Sequence, residues 1–394
     1  MKRLVVIANG ISEPGTMGGN SKIILEMLRN IPDNFECIVI TPVRKVLTFE
    51  ENGISSTKFL KIISIPDFTG SEQLCHIKAC KHFTKHVDEV LQKNNIRESD
   101  LVYCVSDFGV DVLPAFRLQK KYNFIWTPSF YLFVPFIYEN ILKRYGFPPV
   151  KYLIYYFYQR IMLRLIEKRA WGVIITNEAD KKYFSPRLQN NSLPIYGGVN
   201  IEQICETSKV TKYDAIFCSR LHPQKGVSGL LDVWKKVVTT KPEVLLGIIG
   251  NGEQKYEKLL KMKAKKLDII DNIEWLGYVN NEAKYELYAQ SRLFLHPTIY
   301  DNNGMVAAEA LCSGLPVIMY DLPALRNVYK EGCVKVPCFN KLAYADAILR
   351  ILSDKNETTE IQPDNIEVMN LRNYWSWSNR ATIFYSYFDS ISRK

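Results

Sequence analysis

Short runs of β-branched and other apolar residues alternate along the whole chain with longer stretches of helical periodicity, the pattern of a parallel α/β protein. In the first half, Leu4–Ala8, Cys37–Thr41, Leu60–Ile65, Leu101–Val105, Phe124–Thr127 and Val173–Thr176 read as strands. Helices are expected between them at Ser21–Arg29, Glu72–Gln92, Val110–Lys120 and Lys151–Arg169. The pattern restarts with strands at Ala215–Cys218, Val244–Gly250, Ile273–Leu276, Leu293–Leu295 and Pro316–Met319. Helices accompany these at Val227–Val238, Gln254–Lys265, Glu282–Gln290, Met305–Cys312 and Lys341–Leu352. The simplest division is two α/β units joined near Gly197–Tyr213, with the stretch after Trp375 as a closing element. Two such units are expected to leave a cleft at the carboxyl ends of their strands, where ligands of open α/β sheets bind.

Composition narrows the class. The 19 Phe, 23 Tyr and 6 Trp exclude a disordered chain. No run of 18 apolar residues exists, which excludes a transmembrane helix. The apolar part of Met1–Gly10 is too short for a signal peptide. Nine cysteines without a Cys-x-x-Cys fit reduced thiols and a cytoplasmic location. Cys75, His76, Cys80, His82 and His86 look like a metal cluster, but Cys75, His82 and His86 share one helix face and the other two another. Such a set does not close a tetrahedron, and no metal site is expected.

The net charge of +10 is uneven, since residues 101–200 hold 13 Lys and Arg against 6 Asp and Glu. A localised basic face suits an anionic partner, either a phosphorylated substrate or a membrane surface. Nucleic acid is disfavoured, because no reading module accompanies the charge. The densest stretch, Lys151–Arg169, mixes cations with aromatic and aliphatic residues at helical spacing. It reads as a packed amphipathic helix with snorkelling cations or as a membrane-surface helix.

Three constellations carry candidate chemistry. Gly15-Thr16-Met17-Gly18-Gly19-Asn20 follows the first strand and opens a helix, so its N–H groups suit a phosphate or simply make a turn. Cys218-Ser219-Arg220-Leu221-His222-Pro223-Gln224-Lys225-Gly226 runs from a strand into a helix, bringing Arg220 and Lys225 towards one point. A guanidinium can fork two phosphate oxygens, and an ammonium adds a point charge. In the third, a strand ends at His296, a polar loop presents Asp301 and Asn303, and a helix begins near Gly304 and carries Glu309. Gly304, Met305 and Val306 would offer backbone N–H groups to phosphates. His296 lies beside a strand end and is either packing or a donor contact.

On these residues the chain resembles family 4 glycosyltransferases of the GT-B fold, in which two Rossmann-like domains face a central cleft. The family's carboxyl-terminal pattern, Glu-x7-Glu followed by Ala, Gly and Pro-Val, is matched from Gly304 through Val317. The Arg…Lys-Gly pattern falls on Arg220, Lys225 and Gly226. Gly277-Tyr278-Val279 matches the turn facing the nucleotide base, and Pro194–Asn200 resembles the family's hinge.

The resemblance implies an acceptor-side domain over 1–200, a donor domain over 201–372 and a closing helix over 373–394 that packs back on the first domain. It implies transfer of a sugar from a nucleotide-diphosphate sugar to a glycan or lipid-linked acceptor, with retention of configuration and without a cofactor or metal. Arg220, Lys225 and Asp301 would carry catalysis. Gly18, Gly19, Tyr278, His296, Asn303, Gly304, Met305, Val306 and Glu309 would hold the donor, with Glu309 at the ribose.

Three departures stand out. Asp301 occupies the first acidic position, one methylene shorter than Glu. The amino-terminal-domain His of relatives is missing at Trp126–Tyr131, leaving Asp107 and Ser129 as acceptor-side candidates. Asp321–Asn327 replaces a Gly-Gly and Glu segment. A nucleotide-sugar-binding scaffold and a sugar-nucleotide epimerase are the alternatives on the same fold.

Overall fold

A computed structural model of the protein describes residues 1–71, 75–134, 149–204, 210–353 and 365–391, with the side chains of 149–152 and 365 outside that description. The chain forms two compact units, and it passes from the first to the second at Gly197–Gly198 and returns at Ser376–Trp377.

In the first unit, β1 (Lys2–Ile7), β2 (Phe35–Pro42), β3 (Leu60–Ile65), β4 (Leu101–Cys104), β5 (Ile125–Phe130), β6 (Val173–Ile175) and β7 (Ser192–Pro194) form one sheet. Their order is β3-β2-β1-β4-β5-β6-β7, and every pairing is parallel. Its helices include α1 (Gly19–Arg29), α2 (Val43–Glu50), α3 (His76–Lys93), α4 (Gly109–Tyr122) and α5 (Pro149–Arg169). A parallel sheet is covered on both faces, so its strands read as continuous apolar runs; Leu4, Val5, Val6 and Ile7 are all fully buried.

Two elements of this unit escape the periodicity. Arg44 and Lys45 interrupt the apolar pattern of α2, and β7 is three residues long and ends in a proline. The expected Glu72–Gln92 helix is described from His76, and 72–74 lie outside the described residues.

The terminal helix Trp377–Ser390 belongs to this unit. It buries Trp377, Ala381, Phe384, Tyr385 and Phe388, and the Tyr385 hydroxyl donates to Met27 O in α1 at 3.1 Å. The aromatic spacing after Trp375 is thus a packing face that meets β2, β4 and α1 of the first unit.

In the second unit, β8 (Ala215–Cys218), β9 (Leu246–Ile249), β10 (Ile273–Gly277), β11 (Phe294–His296), β12 (Val317–Tyr320) and β13 (Cys333–Val336) form a parallel sheet in the order β10-β9-β8-β11-β12-β13. Its helices include α6 (Val227–Thr240), α7 (Gln254–Lys266), α8 (Asn281–Ala289), α9 (Met305–Cys312), α10 (Lys341–Ser353) and α11 (Asn365–Trp375). The half-buried edge strand β13 and helix α11 lack the fully apolar run or stripe that reveals the others.

Strand order reverses between β8 and β11. At such a reversal the loops leaving the two strands diverge and open a crevice, which fixes the place of a ligand site in this unit. Among the described residues, no helix is long and apolar enough to cross a membrane.

Candidate active site

The loops leaving β8 and β11 carry the two constellations expected there, and they are locked together by backbone contact. Gly226 has φ of 74°, and a Cβ on it would lie 1.9 Å from the Pro297 carbonyl oxygen. Only glycine combines that left-handed backbone with so close an approach. Gln224 adds two ties: its Nε2 donates to Tyr300 O at 2.6 Å, and its carbonyl accepts from Ile299 N at 3.0 Å. The turn at Gly250-Asn251-Gly252 braces the first loop from behind, since Cβ atoms on its glycines would lie 1.9 Å from Ser219 O and 2.1 Å from Leu221 O. In the sequence, Gly250-Asn251-Gly252-Glu253 is too short a match to a dinucleotide fingerprint to count as one, and in the structure the turn supports the first loop.

On this frame Arg220 is exposed, and no described residue forms a hydrogen bond or ion pair with its guanidinium. Lys225 is paired: its Nζ lies 2.6 Å from Asp301 Oδ2. The other Asp301 oxygen, Oδ1, accepts from the backbone N–H groups of Asn302 at 2.9 Å, Asn303 at 3.3 Å and Gly304 at 3.3 Å. Two of the groups expected to meet a diphosphate, Lys225 and the Gly304 N–H, thus converge on one carboxylate of the chain itself.

Burial pushes the Asp301 pKa up, but Lys225, His296 and the hydrogen bonds from Lys225 and the loop outweigh it and hold the carboxyl at about 2. Met305 and Val306 open α9 directly after Gly304, whose φ of 60° makes the turn into the helix. The loop is also held from outside the motif, where the Tyr329 hydroxyl reaches the carbonyls of Asn303 and Gly304 at 2.8 Å each. Tyr329 stacks on Trp375, and no motif in the sequence marks it.

His296 is buried at the end of β11, with Nε2 4.0 Å from Asp301 Oδ2 and without a hydrogen-bond partner among the described residues. Asn303 Oδ1 is likewise buried without a partner among the described residues. Burial lowers the His296 pKa to about 4, against an upward pull from Asp301 and with a further downward push from Lys225. The unfolded chain therefore binds more protons than the folded one between about pH 6.5 and 4, so stability is full above about 6.5 and falls as the pH drops through that window. A loss on the order of 3 kcal/mol is expected across it. Denaturant titrations at pH 7 and 4.5 on wild type and His296→Asn measure this loss, and an unchanged slope in the variant would exclude His296 as its source.

Glu309 lies on α9, and its Oε2 accepts from Lys284 Nζ of α8 at 2.8 Å. The sequence reading did not include Lys284, which looks there like any surface helix lysine. Tyr278 follows Gly277, whose φ is 66°, and is 77% exposed, so its ring is open to a planar group.

The remaining candidates belong to the first unit. Gly18 caps α1, and its N–H donates to Ser12 Oγ at 3.0 Å, while Gly19 is exposed. Asp107 is buried after β4, where it accepts from Gln159 Nε2 at 3.0 Å; burial raises its pKa to about 6. Ser129 is fully buried in β5 and meets the Tyr103 hydroxyl at 2.5 Å. It belongs to a Tyr103–Ser129–Tyr131 hydroxyl network rather than to an exposed surface.

Residues 202–367 match the family described as glycosyl transferases group 1. Among curated proteins, the chain is 26% identical over 200 residues to the phosphatidyl-myo-inositol mannosyltransferase of Mycobacterium leprae, covering 48% of this chain and 52% of that one. The chain therefore spans about half the length of the curated relatives it matches.

Among solved structures, the Anabaena HepE protein in complex with UDP and glucose superposes with a TM-score of 0.70 at 17% identity, covering 99% of this chain and 100% of that one. Sucrose-phosphate synthase from Thermosynechococcus elongatus gives a TM-score of 0.75 at 15% identity, covering 99% and 98%. The architecture is GT-B.

Proposed function

We propose that this chain, whose residues 202–367 match glycosyl transferases group 1, moves a sugar from a nucleotide-diphosphate sugar to a glycan or lipid-linked acceptor, with retention of anomeric configuration. The observation that carries the reading is the switch point of the second sheet. An exposed Arg220 that no described residue engages, a Lys225 paired with Asp301, and the N-terminal turn of α9 meet there. Together they form an anion site preorganised for the charge that grows on a departing diphosphate.

The donor's phosphates would take over Lys225 and the loop N–H groups now bound to Asp301, freeing that carboxylate to accept from a sugar hydroxyl. His296, neutral at pH 7, would offer a hydrogen bond from its unpartnered nitrogen. The planar face of Tyr278 would meet the base, and Glu309 the ribose. In the first unit the Gly18 N–H is taken by Ser12 Oγ, so Gly19 would be the one to offer a backbone N–H group, and Asp107 would accept from the incoming hydroxyl. No metal is needed in this scheme, because Arg220 and Lys225 supply the positive charge. The complex of Anabaena HepE with UDP and glucose supports a nucleotide donor for this fold.

Purified protein incubated with UDP-, GDP- and ADP-sugars and lipid-linked acceptors in the presence of EDTA is expected to release the nucleoside diphosphate and yield an α-linked product from an α-linked donor. Donor binding without release would point instead to a scaffold. Donor interconversion without an acceptor would point to an epimerase.

The acceptor-side proposal includes an anionic membrane surface on the cytoplasmic face. On α5, Ile154, Phe157 and Ile161 are exposed and lie along one stripe, which Arg164 and Lys168 continue with positive charge. Such a face suits insertion at the headgroup level of anionic lipid. Co-sedimentation with vesicles containing phosphatidylglycerol should retain the wild type, and Ile154→Ser/Phe157→Ser/Ile161→Ser should weaken it by about tenfold or more. Equal retention of both proteins would rule out this face.

A further inference from the structure

We infer that Lys284 is a positioning residue that fixes Glu309 for the ribose of the donor, an inference that rests on the donor-site reading above. Lys284 is 8% exposed, and its ammonium lies 2.8 Å from Glu309 Oε2 and 3.3 Å from Asn281 Oδ1, with the Tyr285 ring beneath it at 4.7 Å. Tyr285 and Tyr288, its neighbours along α8, are buried, so this lysine is turned into the unit rather than towards solvent. Its target is carried by α9, the helix that begins at Met305 directly after the Asp301–Gly304 loop.

A largely desolvated ion pair adds little stability compared with apolar packing of the same volume. What it does supply is geometry. Glu309 has three rotatable side-chain bonds, and tying one carboxylate oxygen to a buried ammonium leaves the other, Oε1, fixed in position. No described residue donates a hydrogen bond to Oε1. A charged acceptor held in one position discriminates strongly for a hydroxyl donor, because the analogue lacking the hydroxyl leaves the carboxylate oxygen desolvated and unpaired.

The ligand class follows: a ribonucleoside diphosphate, in preference to its deoxy forms. The experiment is calorimetric titration of the full chain with UDP, GDP and ADP and with the 2′,3′-dideoxy form of each. Wild type should favour the ribo form of its preferred base by about tenfold or more. Lys284→Gln should bring that ratio to within about threefold of unity, and Lys284→Arg, which keeps the charge, should restore most of it. A merely structural lysine would weaken both forms alike, so a Lys284→Gln variant with the wild-type ratio overturns the inference.

If Lys284→Gln does not fold, Lys284→Gln/Glu309→Gln leaves no charge buried and reads the same quantity. A ratio near unity is expected from it, and the full wild-type ratio would contradict the role. Wild type that binds ribo and dideoxy forms equally would overturn this inference and leave the diphosphate site standing. Wild type that binds none of the diphosphates would overturn the donor-site reading itself.

Discussion

Arg220→Ala is expected to fold normally and to lose at least about two orders of magnitude in sugar transfer, the magnitude seen when one preorganised donor to a developing charge is removed. The structure separates the two effects. Arg220 is exposed and bonded to no described residue, so truncating it leaves no buried partner and costs the fold little. Its neighbours show what it acts on. Both Arg220 and Lys225 push the pKa of His222 down, adding to the effect of burial, so the loop after β8 sits in a positive field with no carboxylate at Arg220 to quench it. An anion arriving there gains the full interaction, and gains more as negative charge accumulates on the leaving oxygen. Steady-state kinetics together with a melting curve check this; a stable variant with near-normal turnover would remove Arg220 from the mechanism. Lys225 is the weaker probe, because removing it also unpairs Asp301.

Gly226→Ala should be among the most damaging small substitutions in the second unit. The left-handed backbone alone costs an alanine roughly 1–2 kcal/mol. A Cβ placed 1.9 Å from the Pro297 carbonyl oxygen makes the native position impossible, so either the 219–226 loop or the 297–304 loop must move. Both carry the site: the first presents Arg220 and Lys225, and the second presents Asp301 and the start of α9. The expected result is a destabilisation of about 2 kcal/mol or more, with donor affinity lost even at temperatures where the variant is folded. Chemical denaturation and calorimetry of the same sample measure the two. A variant with wild-type stability and affinity would mean that the contact between the loops is not needed to hold the site.

Much of this was legible in the sequence, because parallel strands covered on both faces leave unbroken apolar runs and helices between them leave a stripe. Met305–Cys312 reads as a helix in the sequence and is one in the structure, and the strand-end loops at 219–226 and 297–304 fall where the apolar runs stop. The unread elements carry weaker signals: α2, with Arg44 and Lys45 inside it, and the edge strands β7 and β13.

Within the site, the sequence brings out residues that belong to a motif and hides those that act through the topology. Lys284 meets Glu309 only because α8 and α9, 25 residues apart at these two positions, flank one sheet. Tyr329 grips the carbonyls of Asn303 and Gly304 from beyond β12. Glycines at 250 and 252 look like an incomplete phosphate loop until the carbonyls of Ser219 and Leu221 are found pressed against them. Spacing also says nothing of how Asp301 is spent. Its shorter side chain caps its own loop and pairs with Lys225, an arrangement that pattern matching alone would assign to a ligand.

The most direct test is thermal denaturation of wild type and Arg220→Ala with UDP, GDP, ADP and TDP and their common sugar conjugates. A ligand at 100 times its dissociation constant adds about 2.7 kcal/mol to stability, which a melting curve resolves readily. One base family should raise the melting temperature of the wild type by several degrees and leave Arg220→Ala nearly unmoved. No shift with any nucleotide, or an equal shift in both proteins, would contradict a donor diphosphate held at the ends of β8 and β11.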